Sequence, residues 1–113
     1  MLKVSFTEKD NKLTLKLDGH AGQADVGHDI ICSSCSILAY TVAQLVTNAK
    51  GMNELKSIPE IKLEVGEGIV SCEPTEESYT AIKSAYLFAE VGFMLLAHNF
   101  PQFVELNQFG TDE

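Results

Sequence analysis

Val4 and Phe6 alternate with Lys3, Ser5 and Thr7, and Leu13, Leu15 and Leu17 alternate with Lys12, Thr14 and Lys16. A period of two on both sides of a polar Glu-Lys-Asp-Asn turn predicts a hairpin with one buried face. A second hairpin is as readable. Ile61, Leu63 and Val65 alternate with Lys62 and Glu64, and Gly-Glu-Gly turns the chain into residues 69–72.

Each hairpin is followed by a helical pattern. Ile31, Cys35, Leu38, Val42, Leu45 and Ala49 recur at steps of four and three, a continuous stripe that Gly51 ends. Asp29 is the expected N-cap, which places Cys32 at the third helical position. Tyr79, Ile82, Tyr86, Ala89, Phe93 and Leu96 form the second stripe, with Thr75 as its expected cap and Glu76 and Glu77 near the positive end of the helix dipole. Pro101 disfavours helix at Phe100 and closes it.

The order strand-strand-helix-strand-strand-helix predicts an α+β fold, a small single layer of about four mostly antiparallel strands with two long helices. Ile37, Tyr40, Val46, Leu87, Val91 and Leu95 are apolar but off the two stripes. They belong either to a deeper core or to an interface with a second chain. Residues 102–113 show no periodicity and read as a fraying, flexible tail. The 11 residues from Gly19 to Asp29 carry three glycines and no apolar run. A connector of that length in a compact domain is often functional.

At 113 residues the chain is long enough for one core and too short for two, so residues 1–113 form a single domain. No unbroken apolar run reaches the ~18 residues needed to span a bilayer. The start enters a strand without a signal pattern, and the cysteine count of 3 is odd. Those features predict a cytoplasmic protein with reduced thiols and no membrane association. The net charge of −8, from 16 acidic against 8 basic residues, argues against direct nucleic-acid binding. It favours a basic partner or peptide, although acidic surfaces also serve solubility alone.

The stretch Gly-His-Ala-Gly-Gln-Ala-Asp-Val-Gly-His-Asp-Ile-Ile-Cys-Ser-Ser-Cys-Ser, residues 19–36, concentrates the candidate chemistry. Cys32 and Cys35 with His20 or His28 have the spacing of half a zinc site, but Cys72 and His98 stand alone and supply no second half. Cys-Ser-Ser-Cys at a helix start also fits a thiol oxidoreductase. Against that, Cys35 falls on the buried stripe, where a thiol is usually a small core hydrophobe. A nucleophile is the third reading: the first helical turn stabilises a Cys32 thiolate, and His20 or His28 serves as its base. These residues alone leave the three open.

Gly19-His20-Ala21, then Gly27-His28-Asp29-Ile30-Ile31-Cys32 and Ser36, resemble the signature of the ribosomal-processing cysteine protease family Prp (YsxB-like). Length and element order match that family end to end. The resemblance implies a peptidase that removes the N-terminal extension of a large-subunit ribosomal protein, with no cofactor or metal, acting as a homodimer. It implies Cys32 as nucleophile and His20 as base, a Cys-His dyad. Gly19 is then a hinge, and Asp29 and Ser36 support the site. Cys35 departs from the family pattern, where a small apolar residue is expected. The competing classes are a non-catalytic ribosome-associated binding protein and a thiol oxidoreductase using Cys32 and Cys35.

Overall fold

The computed structural model describes residues 1–19 and 26–110, with backbone alone for 26–29. The first hairpin is β1 (Leu2–Lys9) and β2 (Lys12–Gly19), paired from Leu2↔Gly19 to Lys9↔Lys12. Its two loop residues, Asp10 (φ 53) and Asn11 (φ 66), both adopt left-handed backbone. That is the geometry whose twist matches a two-residue hairpin, and Asp and Asn tolerate it better than other non-glycine residues.

The long helix α1 (Val26–Gly51) follows, then the hairpin β3 (Glu60–Glu64) and β4 (Glu67–Cys72), then α2 (Tyr79–Asn99). A short β5 (Val104–Asn107) ends the order. The sheet runs β3-β4-β2-β1-β5, antiparallel except for the parallel β1–β5 pair. The architecture is therefore α+β, with five strands rather than about four.

Leu13, Leu15 and Leu17 of β2 lie across from Glu8, Phe6 and Val4 on β1 and from Cys72, Val70 and Gly68 on β4. Alternation carries Val4, Phe6, Leu13, Leu15, Leu17 and Val70 into one buried cluster, which the two helices cover. From α1 the cluster takes Ile31, Cys35, Ala39, Val42, Val46 and Ala49; from α2 it takes Ile82, Tyr86, Ala89 and Phe93. The α1 stripe is rotated from the expected one. Val46 and Ala39 are core, whereas Leu38 and Leu45 are only partly buried, and Leu38 packs where α2 has Gly92. A Cβ on Gly92 would sit 2.7 Å from Leu38 Cδ2, so the small residue sets how closely the helices approach.

Three expectations are corrected. α1 begins at Val26, so Asp29 lies in its first turn and is not the cap, and Cys32 is its seventh residue. α2 begins at Tyr79 after Ser78, because Thr75 closes a turn first, its Oγ1 accepting from the Ser78 N–H at 3.3 Å. Glu76 and Glu77 lie in that turn. The supposed tail, residues 102–113, contains β5. Val104 is buried, Leu2 N–H donates to Phe103 O at 2.8 Å, and the Phe109 N–H donates to Glu90 Oε2 at 2.8 Å.

Beyond its own pairing, α2 is tied to the sheet by polar contacts. Tyr79 Oη donates to Glu8 Oε2 at 2.6 Å, and Lys83 Nζ donates to Glu8 Oε1 and lies over the Phe109 ring. The buried Tyr86 hydroxyl donates to Val70 O at 3.0 Å. Ile30–Gly51 and Tyr79–Asn99 are long and apolar enough to cross a bilayer by length and composition. Ser, Thr, Asn and Gln interrupt them, which is why no single apolar run announces it. Both lay one stripe on the sheet and leave the outer face apolar: Ile37 and Tyr40 on α1, and Phe88, Val91 and Leu95 on α2 are exposed.

Candidate active site

Along one side of α1, Cys32, Ser36 and Tyr40 succeed one another at steps of four, one helical turn each. With Cys35 and Ala39 they form one wall of a cleft of about 570 Å³. The β3–β4 hairpin, residues 63–68, supplies the facing wall, and Leu2, Leu17 and Gly19 line the cleft at the ends of their strands. Two glycines keep this space open for different reasons. A Cβ on Gly68 would lie 3.0 Å from Leu63 Cδ2 and 3.2 Å from Leu17 Cδ1, where it would crowd the apolar lining. Gly19 has φ +96, and a Cβ there would meet the Met1 carbonyl oxygen at 2.4 Å, a backbone atom that cannot swing aside. The Gly19 N–H donates to Gly66 O at 2.9 Å, tying the end of β2 to the loop of the facing hairpin.

The two thiols on α1 are in different environments. Cys32 is exposed at the cleft, and Cys35 is buried in the core cluster. Burial, and secondarily the nearby Cys32, push the Cys35 thiol up to about 11. Near neutral pH it stays protonated, which makes it a poor attacking or resolving thiolate. All three cysteines are free thiols. Cys72 is also buried, which raises its thiol, while the Tyr86 hydroxyl 3.7 Å away acts in the opposite direction.

Of the residues named from the sequence, Gly19, Cys32 and Ser36 line the same cleft. His20 lies outside the described residues, and the side chains of His28 and Asp29 do as well. His98 is exposed in the last turn of α2. Among the described residues no group of three or more His, Cys, Asp and Glu forms a metal cluster. As the seventh residue of α1, Cys32 lies beyond the first turn expected to stabilise its thiolate, and its N–H falls within the helical ladder.

The sequence reading missed the hairpin wall. Leu63, Glu64, Val65, Gly66, Glu67 and Gly68 all line the cleft, and its only charged side chains among the described residues are Glu64 and Glu67. Lys62 Nζ lies 3.9 Å from Glu64 and 3.8 Å from Glu67, both exposed pairs of little energetic weight. The signal was present in the spacing of Gly66 and Gly68. In a strand a glycine often marks a close approach or an opening, and Gly68 does so here.

Residues 1–105 match the family described as cysteine protease Prp. The ribosomal processing cysteine protease Prp of Mycoplasma pneumoniae is 28% identical over 111 residues, spanning 97% of this chain and 99% of that protein. A Streptococcus mutans protein, SMU.848, superimposes with a TM-score of 0.68 at 22% identity, over 96% of this chain and 94% of its own. The essential ribosomal processing protease Prp from S. aureus, in complex with a covalently linked product peptide, superimposes with a TM-score of 0.66 at 21% identity. That match covers 96% of this chain and 99% of the other. These two likenesses show a shared fold.

Proposed function

The chain belongs to the Prp family of cysteine proteases, and from that membership we propose that it removes the N-terminal extension of a large-subunit ribosomal protein through a dyad of Cys32 and His20. One observation carries the choice of nucleophile. Cys32 is the exposed thiol at the cleft, while Cys35, three residues on, is buried with its thiol raised to about 11. A thiol oxidoreductase would need both.

The steps follow from this assignment. His20 takes the Cys32 proton, and the thiolate attacks the scissile carbonyl carbon, forming a C–S bond and a tetrahedral oxyanion. As the C–N bond breaks, His20 returns the proton to the departing amine and a thioester remains. His20 then draws a proton from water, the hydroxide attacks the thioester, and Cys32 leaves protonated again. Donors for the oxyanion come from outside the α1 ladder. Ser36, one turn beyond Cys32 in the cleft, positions the thiol or the substrate carbonyl. Asp29, whose backbone lies in the first turn of α1, is the family position that supports the site. Gly19 serves as the hinge for the segment that carries His20, and its φ of +96 is one that a side chain would strain.

The net charge of −8 suits a peptide taken from a basic ribosomal protein in the cytoplasm, and it disfavours direct contact with nucleic acid. The exposed apolar residues Ile37, Phe88, Val91 and Leu95 suit burial against a second copy in a homodimer. The test is a digest under reducing conditions. A large-subunit ribosomal protein still carrying its extension is incubated with the chain and with Cys32→Ala, and product masses are read. One discrete shortened product, absent with the variant, is expected. Cleavage that survives Cys32→Ala would sink the assignment.

A further inference from the structure

One wall of the cleft ends in an open strand edge, and we propose that the substrate peptide is laid along that edge of β3 as a sixth strand of the sheet. The inference rests on the proteolytic reading above and concerns how the scissile segment is held. The order β3-β4-β2-β1-β5 puts β3 at the margin, and among the described residues no strand pairs with its outer edge.

Register decides which backbone groups that edge offers. Glu64 pairs with Glu67 across a two-residue loop, Leu63 with Gly68, Lys62 with Ile69 and Ile61 with Val70. Residues flanking such a loop exchange both their backbone bonds, and bonded and non-bonded pairs alternate from there. Glu60, Lys62 and Glu64 therefore bond inward to β4. Ile61 and Leu63 turn their N–H and C=O groups to the open edge. Leu63 also lines the Cys32 cleft, so the edge and the nucleophile share one space.

The opposite wall has a matching length. Cys32, Ser36 and Tyr40 are separated by eight helical steps in all, about 12 Å along α1. Four residues of extended chain cover roughly 13 Å. Proteolysis needs an extended segment with its carbonyl exposed, and strand addition supplies that conformation through main-chain bonds that tolerate varied side chains. Charge agrees. β3 offers Glu60 and Glu64 against Lys62, with Glu67 alongside on β4, so the rail is acidic where a basic peptide would lie. The strand is only five residues long with charged side chains on one face, a form that discourages pairing with copies of itself.

A synthetic peptide spanning the cleavage bond of the extension is methylated at one amide nitrogen at a time, and its binding to Cys32→Ala is measured by fluorescence anisotropy. Binding is expected to fall with period two: roughly tenfold or more where the amide faces β3, and by less than about threefold at its neighbours. Uniform loss, or uniform tolerance, overturns the proposal. Leu63→Pro removes the outward N–H and leaves the β4 ladder intact, whereas Leu63→Ala removes the side chain alone. Leu63→Pro is expected to bind the unmodified peptide roughly tenfold more weakly than Leu63→Ala, with melting temperature and oligomeric state unchanged. Equal binding, or a change of oligomeric state that assigns the edge to a second copy, overturns it. The methylated panel does not depend on that variant folding. Cleavage of the unmodified peptide by the intact chain is read separately. Alternation without cleavage keeps the edge and removes the peptidase assignment; cleavage without alternation removes the edge alone.

Discussion

Treating the reduced protein with iodoacetamide at pH 8 should modify one cysteine on α1 and spare its neighbour. The magnitude comes from the core. An ordinary thiol ionises at 9.0, and burial moves Cys35 to about 11, two units higher. Well below either value, each unit is a factor of ten in thiolate, so Cys35 reacts roughly 100-fold more slowly than an ordinary thiol on ionisation alone. Its position between Ile31 and Ala39 in the core cluster adds a steric barrier, because the reagent must reach a side chain 4% exposed. Peptide mapping by mass spectrometry over a time course gives the two rates. The expected result is stoichiometric label on Cys32, with Cys35 and Cys72 labelled only after denaturation, and loss of peptidase activity in step with the first label. Equal labelling of Cys32 and Cys35 in the folded protein would refute the burial argument, and with it the reason for choosing between the thiols.

Three further outcomes follow. Gly19→Ala puts a Cβ against the Met1 carbonyl at 2.4 Å in a backbone of φ +96, and should cost about 2 kcal/mol or more, lowering the thermal midpoint by roughly 10 °C; an unchanged midpoint would contradict the geometry. At Glu8 burial acts to raise the carboxyl, but hydrogen bonds from Lys83 and Tyr79 outweigh it and hold the group below its ordinary 4.5. Its stabilisation is therefore present above pH 4.5 and lost as pH falls through the lower folded value. The urea midpoint of Glu8→Gln should trail the parent at pH 7, by about 1–3 kcal/mol in stability, and the gap should close toward pH 3. A gap independent of pH would rule out the charge. Ending the chain after Phe103 removes β5, the buried Val104 and the Phe109 contacts with Glu90 and Lys83, and should cost about 3 kcal/mol or more by differential scanning calorimetry. A truncated chain that melts with the parent would show that β5 contributes nothing.

The elements whose pattern is local were readable from residues alone. Period-two alternation announces β1 and β2, and the helix stripes announce α1 and α2, because each is repeated often enough to stand above chance. The four residues of β5 are too few for that, and the reason they form a strand is the edge of β1, far away in sequence. Helix starts failed for a related cause. Asp29 and Thr75 are both good caps by type, yet residues 26–28 already continue the α1 backbone and Thr75 spends its hydroxyl on a preceding turn. At the site, the exposure of Cys32 and the burial of Cys35 follow from a helical period of 3.6, so the choice of thiol was within reach. For the hairpin wall the two glycines gave only a local hint, since bringing residues 63–68 opposite α1 requires the sheet order, which no local pattern encodes.

The pairing of Leu2 with Val104 joins segments about a hundred positions apart, and Leu2 is also part of the cleft lining. A chain leaving its own synthesis has both hairpins and both helices in hand before residue 104 can reach the β1 edge. The margin of the cleft that holds Cys32 is thus among the last parts to be completed, through the longest loop the chain must close. A cysteine protease built this way gains one margin of its cleft only when nearly all of the chain is available to fold.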